Sequence, residues 1–399
     1  MRQCRICKSN NFKEVIDFGK NPLVNSLIEK EDLNKKEPTY PLVVEQCQNC
    51  KLVQIVEPID SEKIYRNVDY LYFSSDMPGL KEYFKEYAED LKNRFIKKGD
   101  FIVEIGSNDG LMLDMFSKSV DVLVLGVDPA SNTVVRALKN GIPTLSDCFT
   151  ERIAKNILRE FGKAKLIYGN NCIAHIDNLH DIMRGIKVLL KNDGVFVVEC
   201  NYWGGMVKNK NYGLIYHDHF SYFTLKNWED IAKMYDMKVF DAWITPAQGG
   251  SLRVFMKNST EEIITDRCMK LQSEEIATNL NSYETCQRYK REVLKEAKRF
   301  GDKIRELKKQ GKKIAAYGAA AKGFSILKLA EIDQRQIDYF VDDSPAKQGK
   351  YAPVSHIPVI SRQEAESQLP DYFVITAPNY AKIIMEKEKD FKGNFITYD

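Results

Sequence analysis

Four cysteines near the amino terminus carry the clearest chemical signal in the 399-residue sequence. They form two C-x-x-C pairs, Cys4 with Cys7 and Cys47 with Cys50. Each short turn points two sulfur atoms the same way, so the two pairs can present four thiolates to one tetrahedral zinc ion. Because the protein fills all four positions, none stays open for water, and we expect a structural zinc. A redox role would not need the second pair.

A glycine-containing loop is the second signal. The run Val103-Glu-Ile-Gly-Ser-Asn-Asp-Gly110 follows an apolar strand and precedes Leu111-Met-Leu-Asp-Met-Phe116, which has helical spacing. Gly106 and Gly110 would let a ligand approach the backbone, and the start of the helix supplies free N–H groups. The loop is not the G-x-G-x-x-G of dinucleotide folds, which argues against NAD as a cofactor.

Polar residues also stand at the ends of the following strands. Asp128 ends the second strand, where a carboxylate can accept hydrogen bonds from both hydroxyls of a ribose. Asp147, after the third strand, could reach an adenine edge, and Asn170 and Asn171, after the fourth, could contact an amino-acid moiety. Open α/β sheets bind ligands at this edge, with ordinary turn residues as the alternative, above all for Asp147. The predicted cofactor-binding residues are Glu104, Gly106, Asn108, Gly110, Asp128, Asp147, Asn170 and Asn171.

The elements that must position these groups alternate apolar runs with helical stretches, a pattern that predicts a parallel sheet buried on both faces. Two later β-like runs flank the turn-length break Thr245-Pro-Ala-Gln-Gly-Gly250, which predicts an antiparallel pair ending that sheet. The parallel runs lie at 101–105, 122–127, 166–168 and 195–199, and the antiparallel pair lies at 237–244 and 252–256.

A change of composition divides the rest of the chain. The Glu- and Lys-rich stretch after residue 258 lacks proline and predicts one or two connecting helices with a solvated face. A second α/β pattern begins near residue 313. We therefore predict an α/β protein with a zinc-binding module at 1–75, a larger α/β domain at 76–258, connecting helices at 259–309 and a smaller Rossmann-like domain at 310–399.

Composition excludes several classes of protein. The 59 Lys and Arg residues against 56 Asp and Glu leave a net charge of +3, too small for a dedicated duplex-binding protein. We find no secretory h-region at the start and no run of 18 apolar residues, so a membrane partner is not expected. The odd number of cysteines, nine, speaks against a disulfide framework. We expect a cytoplasmic protein, monomeric or weakly homo-oligomeric.

The glycine loop resembles the E/D-x-G-x-G-x-G loop of class I S-adenosylmethionine-dependent methyltransferases, with Asn108 where that loop commonly has glycine. Further motifs narrow the match, and over essentially the whole chain they are similar to the zinc-containing C-methyltransferases that branch nucleotide-linked deoxysugars. These motifs are the C-x-x-C pairs, Asn171-Cys-Ile-Ala-His-Ile176, Ile215-Tyr-His-Asp-His-Phe220, Gly249-Gly250 and Tyr317-Gly-Ala-Ala-Ala-Lys-Gly323. The resemblance implies S-adenosylmethionine and structural zinc as cofactors, and a nucleotide-diphosphate keto-deoxysugar as substrate.

The resemblance also implies catalytic roles in the segment 215–220. His219 matches the base that removes a proton beside the keto group and forms an enolate. From the residues alone either His217 or His219 could be that base, because imidazole is the usual base near neutral pH and both would share one face of an extended segment. Asp218 replaces a glutamate of the family pattern, and Tyr216 could hydrogen-bond a keto oxygen or enolate.

Substrate contacts are predicted mainly from the third domain. A nucleotide diphosphate could lie at the helix start after Tyr317 and be neutralised by Lys322. The resemblance implies that the P-A-K-Q-G and H-I-P segments and the tyrosine-rich segment 70–75 also line the substrate site. The predicted substrate-binding residues are Tyr72, Tyr202, His217, Lys322, Lys347 and His356. For His175, packing and ligand contact are equally open.

Three alternatives remain at this point. An O- or N-methyltransferase would use a base but would need no ketone. An NAD-dependent sugar oxidoreductase would place a nicotinamide cofactor on either α/β domain. A binding protein with a zinc module would have no turnover.

Overall fold

The computed structural model describes residues 2–23, 26–60, 64, 65, 70, 72–259 and 262–398. The strands are β1 Phe12–Asn21, β2 Tyr40–Cys47, β3 Val53–Ile55, β4 Phe101–Ile105, β5 Leu123–Asp128, β6 Thr144–Ser146, β7 Ala164–Asn170, β8 Leu190–Asn201, β9 Ser221–Tyr222, β10 Lys238–Thr245, β11 Ser251–Lys257, β12 Ile314–Tyr317, β13 Phe340–Val341, β14 Val359–Ile360, β15 Tyr372–Ile375 and β16 Asn394–Ile396. The α-helices are α1 Leu80–Phe95, α2 Leu111–Ser119, α3 Ser131–Lys139, α4 Glu151–Phe161, α5 Leu179–Leu189, α6 Trp203–Lys208, α7 Leu225–Met234, α8 Asp266–Ala277, α9 Tyr283–Lys309, α10 Ala321–Leu329, α11 Arg362–Ala365 and α12 Ala381–Lys387.

The amino-terminal sheet has the order β1-β2-β3-β9 and is antiparallel throughout. Strand β9 comes from far along the chain, directly after the predicted catalytic segment. Its two residues pair with Val53 and Gln54 of β3. The zinc module and the catalytic segment therefore share one sheet.

The central sheet has the order β10-β11-β8-β7-β4-β5-β6. Strands β4 to β8 are parallel to one another, and every residue of β4 is buried, as expected for a strand covered by helices on both faces. The chain turns from one side of β4 to the other between β6 and β7. The carboxyl ends of β4 and β7 thus form the topological switch point where such sheets bind ligands.

The predicted antiparallel pair is confirmed. Strands β10 and β11 pair in opposite directions, and β11 is antiparallel to β8. The turn between them contains Gln248 at a φ of 54° and Gly249 at 87°. This turn lies at the sheet end that faces the third domain.

The connecting stretch forms the helices α8 and α9. The expected solvated face is present, but α9 also buries a stripe at helical spacing that includes Cys286, Tyr289 and Val293. Tyr289 donates a hydrogen bond to the Asn211 carbonyl at 2.9 Å and packs edge-on against Trp203. The long helix therefore supports the active-site side of the central sheet.

The carboxy-terminal sheet has the order β14-β13-β12-β15-β16, with all pairs parallel. This is the doubly wound arrangement predicted from the second α/β pattern. The sheet's outer loop touches the amino-terminal module through a bridge between Ile28 and Tyr351 and an ion pair of 2.8 Å between Lys350 and Glu29. Across the described residues, no helix has the length and apolar character needed to cross a membrane.

Candidate active site and zinc centre

The four cysteines of the module form one cluster. Their sulfur atoms lie within 4.8 Å of one another, with 3.4 Å between Cys4 and Cys50 and 3.5 Å between Cys7 and Cys47. A tetrahedral zinc with bonds of about 2.3 Å needs sulfur atoms about 3.8 Å apart, so the cluster fits this ion. The hairpin of β1 and β2 explains the long spacing, because the pairing of Phe12 with Cys47 returns the second pair to the first.

The glycine loop closes tightly at two positions. Gly106 has a φ of 67°, and a Cβ there would lie 2.5 Å from the Cβ of Cys172. Gly110 has a φ of 78°, and a Cβ there would lie 3.0 Å from the Cβ of Ile142. Both the left-handed backbone and the close approach exclude larger residues. The loop therefore has the cradle that a cofactor needs to reach the backbone.

Asn108 replaces the family's glycine for a visible reason. Its φ of 51° is left-handed, which asparagine tolerates better than most residues. Its side-chain amide donates to the Tyr72 carbonyl at 3.0 Å, and its oxygen accepts from the Ser74 amide at 2.8 Å. The side chain thus fastens the segment 72–74 over the glycine loop.

Two of the three predicted carboxylates of this site, Glu104 and Asp128, are buried. Burial raises the pKa of Glu104 well above its usual range, and Tyr168 donates a hydrogen bond to it at 3.1 Å. Burial also raises the pKa of Asp128. Asp128 accepts hydrogen bonds from the amides of Asn108 and Ala130 at 2.8 and 2.9 Å and from the hydroxyl of Thr133 at 3.1 Å. It therefore shapes the loop besides offering a ribose contact, a role that the sequence did not reveal.

Two asparagines at the end of β7 offer open acceptors. The buried Oδ1 atoms of Asn170 and Asn171 receive no hydrogen bond from any described residue. A buried acceptor without a donor is costly, so these atoms fit a ligand ammonium group. Asp147, in contrast, accepts from the Cys148 amide at 2.8 Å and from Arg152 at 3.1 Å and is partly exposed.

His219 lies at the centre of the predicted catalytic site, with 5% of its surface exposed. Its Nδ1 lies 2.7 Å from the Leu214 carbonyl oxygen, which can only accept, so Nδ1 carries the hydrogen and Nε2 the lone pair. The Tyr216 hydroxyl lies 3.0 Å from Nε2. Burial is the main cause that lowers the pKa of His219 well below its usual value. The ring is therefore neutral and ready to accept a proton.

The segment around His219 is not extended, which corrects the expectation that His217 and His219 share a face. The His219 amide donates to the Tyr216 carbonyl at 3.0 Å, so residues 216–219 form a tight turn. His217 points instead to the amino-terminal module, where its Nε2 lies 3.2 Å from the Tyr40 carbonyl. Asp218 stays buried, and burial raises its pKa to about 7.

His175 belongs to the same cluster. Its ring centre lies 4.9 Å from that of His219, and its Nδ1 lies 2.7 Å from the Tyr65 hydroxyl. Burial lowers the pKa of His175 to about 4, and its Nε2 has no hydrogen-bond partner among the described residues. Of the two readings left open by the sequence, a ligand contact fits this arrangement.

Asn201 was missed by the sequence analysis. Its side-chain nitrogen lies 3.3 Å from Nε2 of His219, and its Oδ1 has no donor among the described residues. The predicted strand stopped at Glu199, whereas β8 continues to Asn201. The same strand-end rule that found Asn170 would have found Asn201 with the correct boundary.

Lys322 approaches this cluster from the third domain, and its charge adds to burial in lowering the pKa of His219. Its ammonium group donates to the side-chain oxygen of Gln248 at 3.1 Å. Helix α10, which carries Lys322, is joined to the catalytic segment because Ser325 donates to the Ile215 carbonyl at 3.0 Å. Burial lowers the pKa of Lys322 to about 7.

The other predicted substrate residues lie in different surroundings. The phenol of Tyr202 is buried beside Glu275, and the two side chains share a hydrogen bond. Lys347 donates to the Ala319 carbonyl at 3.0 Å and pairs with Asp342 at 3.2 Å. His356 lies 2.5 Å from Glu37 of the amino-terminal module, and Tyr72 is held by Asn108. Of the six predicted substrate residues, the structure brings Lys322 to the histidine cluster.

Comparison with known proteins agrees with a chain built from a zinc module and two α/β domains. The chain is 32% identical to C-methyltransferase NovU of Streptomyces niveus over 398 residues, covering 98% of this chain and 93% of the relative. The chain belongs to the C-methyltransferase family. Family models match the C-methyltransferase in three places: a zinc binding domain at 4–65, a methyltransferase domain at 80–241 and a C-methyltransferase C-terminal domain at 246–398.

These matches confirm the predicted enzyme class and cofactors. The C-methyltransferase is an S-adenosylmethionine-dependent enzyme with a structural zinc site, and its class I fold follows from the strand order of the central sheet. Comparison with solved structures gives matches to part of the chain. The CcbJ methyltransferase of Streptomyces caelestis is 14% identical over 49% of this chain and 100% of its own, with a TM-score of 0.38. Magnesium protoporphyrin IX methyltransferase of Synechocystis PCC 6803 is 12% identical over 45% of this chain and 83% of its own, with a TM-score of 0.36.

We expect Asp128→Ala to weaken S-adenosylmethionine binding about tenfold or more, because a hydrogen bond to a charged group is worth about 1.5–3 kcal/mol. Titration calorimetry measures this, with Asp147→Ala as the more exposed control. Neither the wild type nor the variants should bind NAD. Unchanged affinity in Asp128→Ala would mean that Asp128 only holds the loop.

Proposed function

We propose that this C-methyltransferase methylates the carbon beside the keto group of a nucleoside-diphosphate keto-deoxysugar. The proposal rests on the neutral, tautomer-fixed His219 and on the charge of Lys322, a residue of the second α/β domain that acts on this histidine. A base is needed because a carbon acid must lose its proton before it can attack a methyl group. A cation beside it suits a substrate that bears phosphate.

We assign the catalytic steps to residues of this cluster. Bound S-adenosylmethionine, held by the glycine loop, Asp128 and the two open asparagine acceptors, supplies an electrophilic methyl group. Nε2 of His219 accepts the substrate proton, while Nδ1 keeps its hydrogen bond to Leu214. Asp218 lies in the same turn as His219, and we assign its carboxylate the task of offsetting the charge of the imidazolium that results.

The negative charge that develops on the keto oxygen needs donors. If the Tyr65 hydroxyl donates to Nδ1 of His175, then Nε2 of His175 carries a hydrogen that points into the cluster. The neutral state of His175, given its pKa of about 4, makes this ring a donor without net charge. Tyr216 is the second donor, since its hydroxyl can turn from His219 to the substrate oxygen.

We assign the nucleotide part of the substrate to the third domain, with domain limits at 75, 258 and 309. Lys322 faces the phosphate, whereas Lys347 holds the loop after β12 through Ala319. We assign Tyr202, His217 and His356 to packing between elements rather than to substrate contact. We propose that the reaction takes place in the cytoplasm, where free thiols such as Cys200 stay reduced, and that the enzyme is a monomer or weak homo-oligomer.

The substrate proposal is tested by comparing a nucleotide-linked 4-keto-deoxysugar with the same sugar reduced at its keto carbon. We expect methylation of the ketone, with a new carbon–carbon bond seen by NMR, and none of the alcohol. Methylation of the alcohol at oxygen would replace the proposal with O-methylation.

We expect kcat/KM for the sugar to follow a bell-shaped pH profile centred near 7. The pKa of Asp218 is raised to about 7, so its carboxylate is lost as the pH falls through 7. The pKa of Lys322 is lowered to about 7, so its ammonium is lost as the pH rises through 7. Because the two limbs overlap, the apparent values belong to the pair.

Variants separate the two limbs. Asp218→Asn should remove the acid limb and Lys322→Gln the alkaline limb, since kcat/KM reports groups of the free enzyme. Lys328→Gln, on the exposed side of the same helix, should leave the profile as in wild type. A wild-type profile that is flat between pH 6 and 8 would contradict both assignments.

A further inference from the structure

A buried arginine lies inside the first zinc knuckle. Arg5 stands between the ligands Cys4 and Cys7, and only 4% of its surface is exposed. Burying a guanidinium costs several kcal/mol before compensation, and an apolar residue of similar size often stabilises a fold as well. A buried ion at this place therefore calls for a reason other than stability.

The guanidinium of Arg5 contacts three separate segments. Its Nε donates to Asp177 at 2.8 Å, and its Nη1 donates to the carbonyl oxygens of Ile55 and Phe220 at 2.9 and 3.1 Å. It also lies over the Phe220 ring, 5.5 Å from the centroid. Its backbone amide is fixed in turn by Gln54 at 3.2 Å.

Two of these segments carry the histidine cluster. Phe220 directly follows His219, and Asp177 stands two residues after His175. The Phe220 amide donates to the Ala174 carbonyl at 2.8 Å, and its carbonyl accepts from the Ile55 amide at 3.0 Å as well as from Arg5. The backbone next to His219 is therefore held on one side by the His175 turn and on the other by the zinc module.

We propose that Arg5 is a positioning residue for the base. It sets the distance and angle between the rings of His219 and His175 through its contacts with Phe220 and Asp177. This inference rests on the proposed function. The inference gives the zinc module a role in the reaction, because the turn from Cys4 to Cys7 fixes the position of the Arg5 guanidinium. Lysine cannot replace arginine here, since a single ammonium does not reach three acceptors in the planar arrangement of a guanidinium.

A displacement of about 1 Å at a reacting group can cost about 100-fold in rate. We therefore expect Arg5→Lys to lower kcat by about 10- to 100-fold, with KM for the sugar and affinity for S-adenosylhomocysteine within about threefold of wild type. Arg2→Met is the matched control. Arg2 is a cation of the same module, but it is half exposed and pairs with Glu45 at 2.5 Å.

The deciding readout is exchange of the substrate proton beside the keto group with deuterated water, in the presence of S-adenosylhomocysteine. Exchange reports the base alone, because no methyl group can move. We expect exchange to fall together with kcat in Arg5→Lys and to remain as in wild type in Arg2→Met, while all three proteins retain zinc. A merely structural role would lower the melting temperature and leave exchange per folded molecule unchanged.

Asp177→Ala removes the acceptor of the Arg5 Nε without changing a residue of the zinc module. It is the variant to measure if Arg5→Lys does not retain zinc. Its exchange rate should fall about three- to tenfold with zinc in place. Exchange within twofold of wild type in whichever of these variants retains zinc would overturn the inference. Absence of exchange in the wild type would instead contradict the proposed function, so the two failures are distinguishable.

Discussion

His219→Asn should lower turnover by about 10²–10⁴-fold, which corresponds to about 3–5 kcal/mol of barrier, because it removes the base. S-adenosylmethionine affinity should stay near that of wild type, since the cofactor residues lie on the loop after β4 and at the ends of β5 and β7. Asparagine keeps a donor for the Leu214 carbonyl, so the turn at 216–219 should persist. Steady-state kinetics and calorimetry measure the two quantities.

The control for this prediction is His217→Asn, which removes a ring of the same type two residues away. His217 contacts Tyr40, and its loss should cost much less turnover. Proton exchange with deuterated water should vanish in His219→Asn and persist in His217→Asn. If the two results were reversed, the base would be His217, and the tautomer argument for His219 would be wrong.

Cys47→Ser should lose zinc and open the amino-terminal module. Binding of structural zinc contributes about 10–16 kcal/mol in zinc-finger peptides, so removing one of four ligands takes away much of what holds the two knuckles together. Elemental analysis and thermal unfolding measure the effect. Cys268→Ala, which changes a buried cysteine of α8 outside the cluster, should retain one zinc per chain. Full zinc in Cys47→Ser would show that other groups ligate the ion.

The sequence predicted those features that depend on local pattern. Apolar periodicity placed β4 at its exact limits, and the break at 245–250 predicted the antiparallel pair of β10 and β11. The C-x-x-C spacing predicted a single sulfur cluster because the chemistry of zinc requires one. The cofactor loop was equally predictable, because its glycines follow from the local backbone conformation and not from distant contacts.

The rest depends on contacts between distant segments. The turn at 216–219 contains neither glycine nor proline, so nothing in its sequence marked it as a turn. The pairing of His356 with Glu37 exists only because the third domain meets the first. Arg5 gave no signal, since a lone arginine in a zinc knuckle is ordinary until its acceptors at Phe220 and Asp177 are known.

The pairing of β3 with β9 has a consequence for biosynthesis. The module leaves the ribosome with its cysteines and first three strands, yet the free edge of β3 has no partner until residues 221 and 222 emerge. An unpaired strand edge invites association with other chains. During translation we therefore expect that edge to stay unpaired until most of the methyltransferase domain has been made.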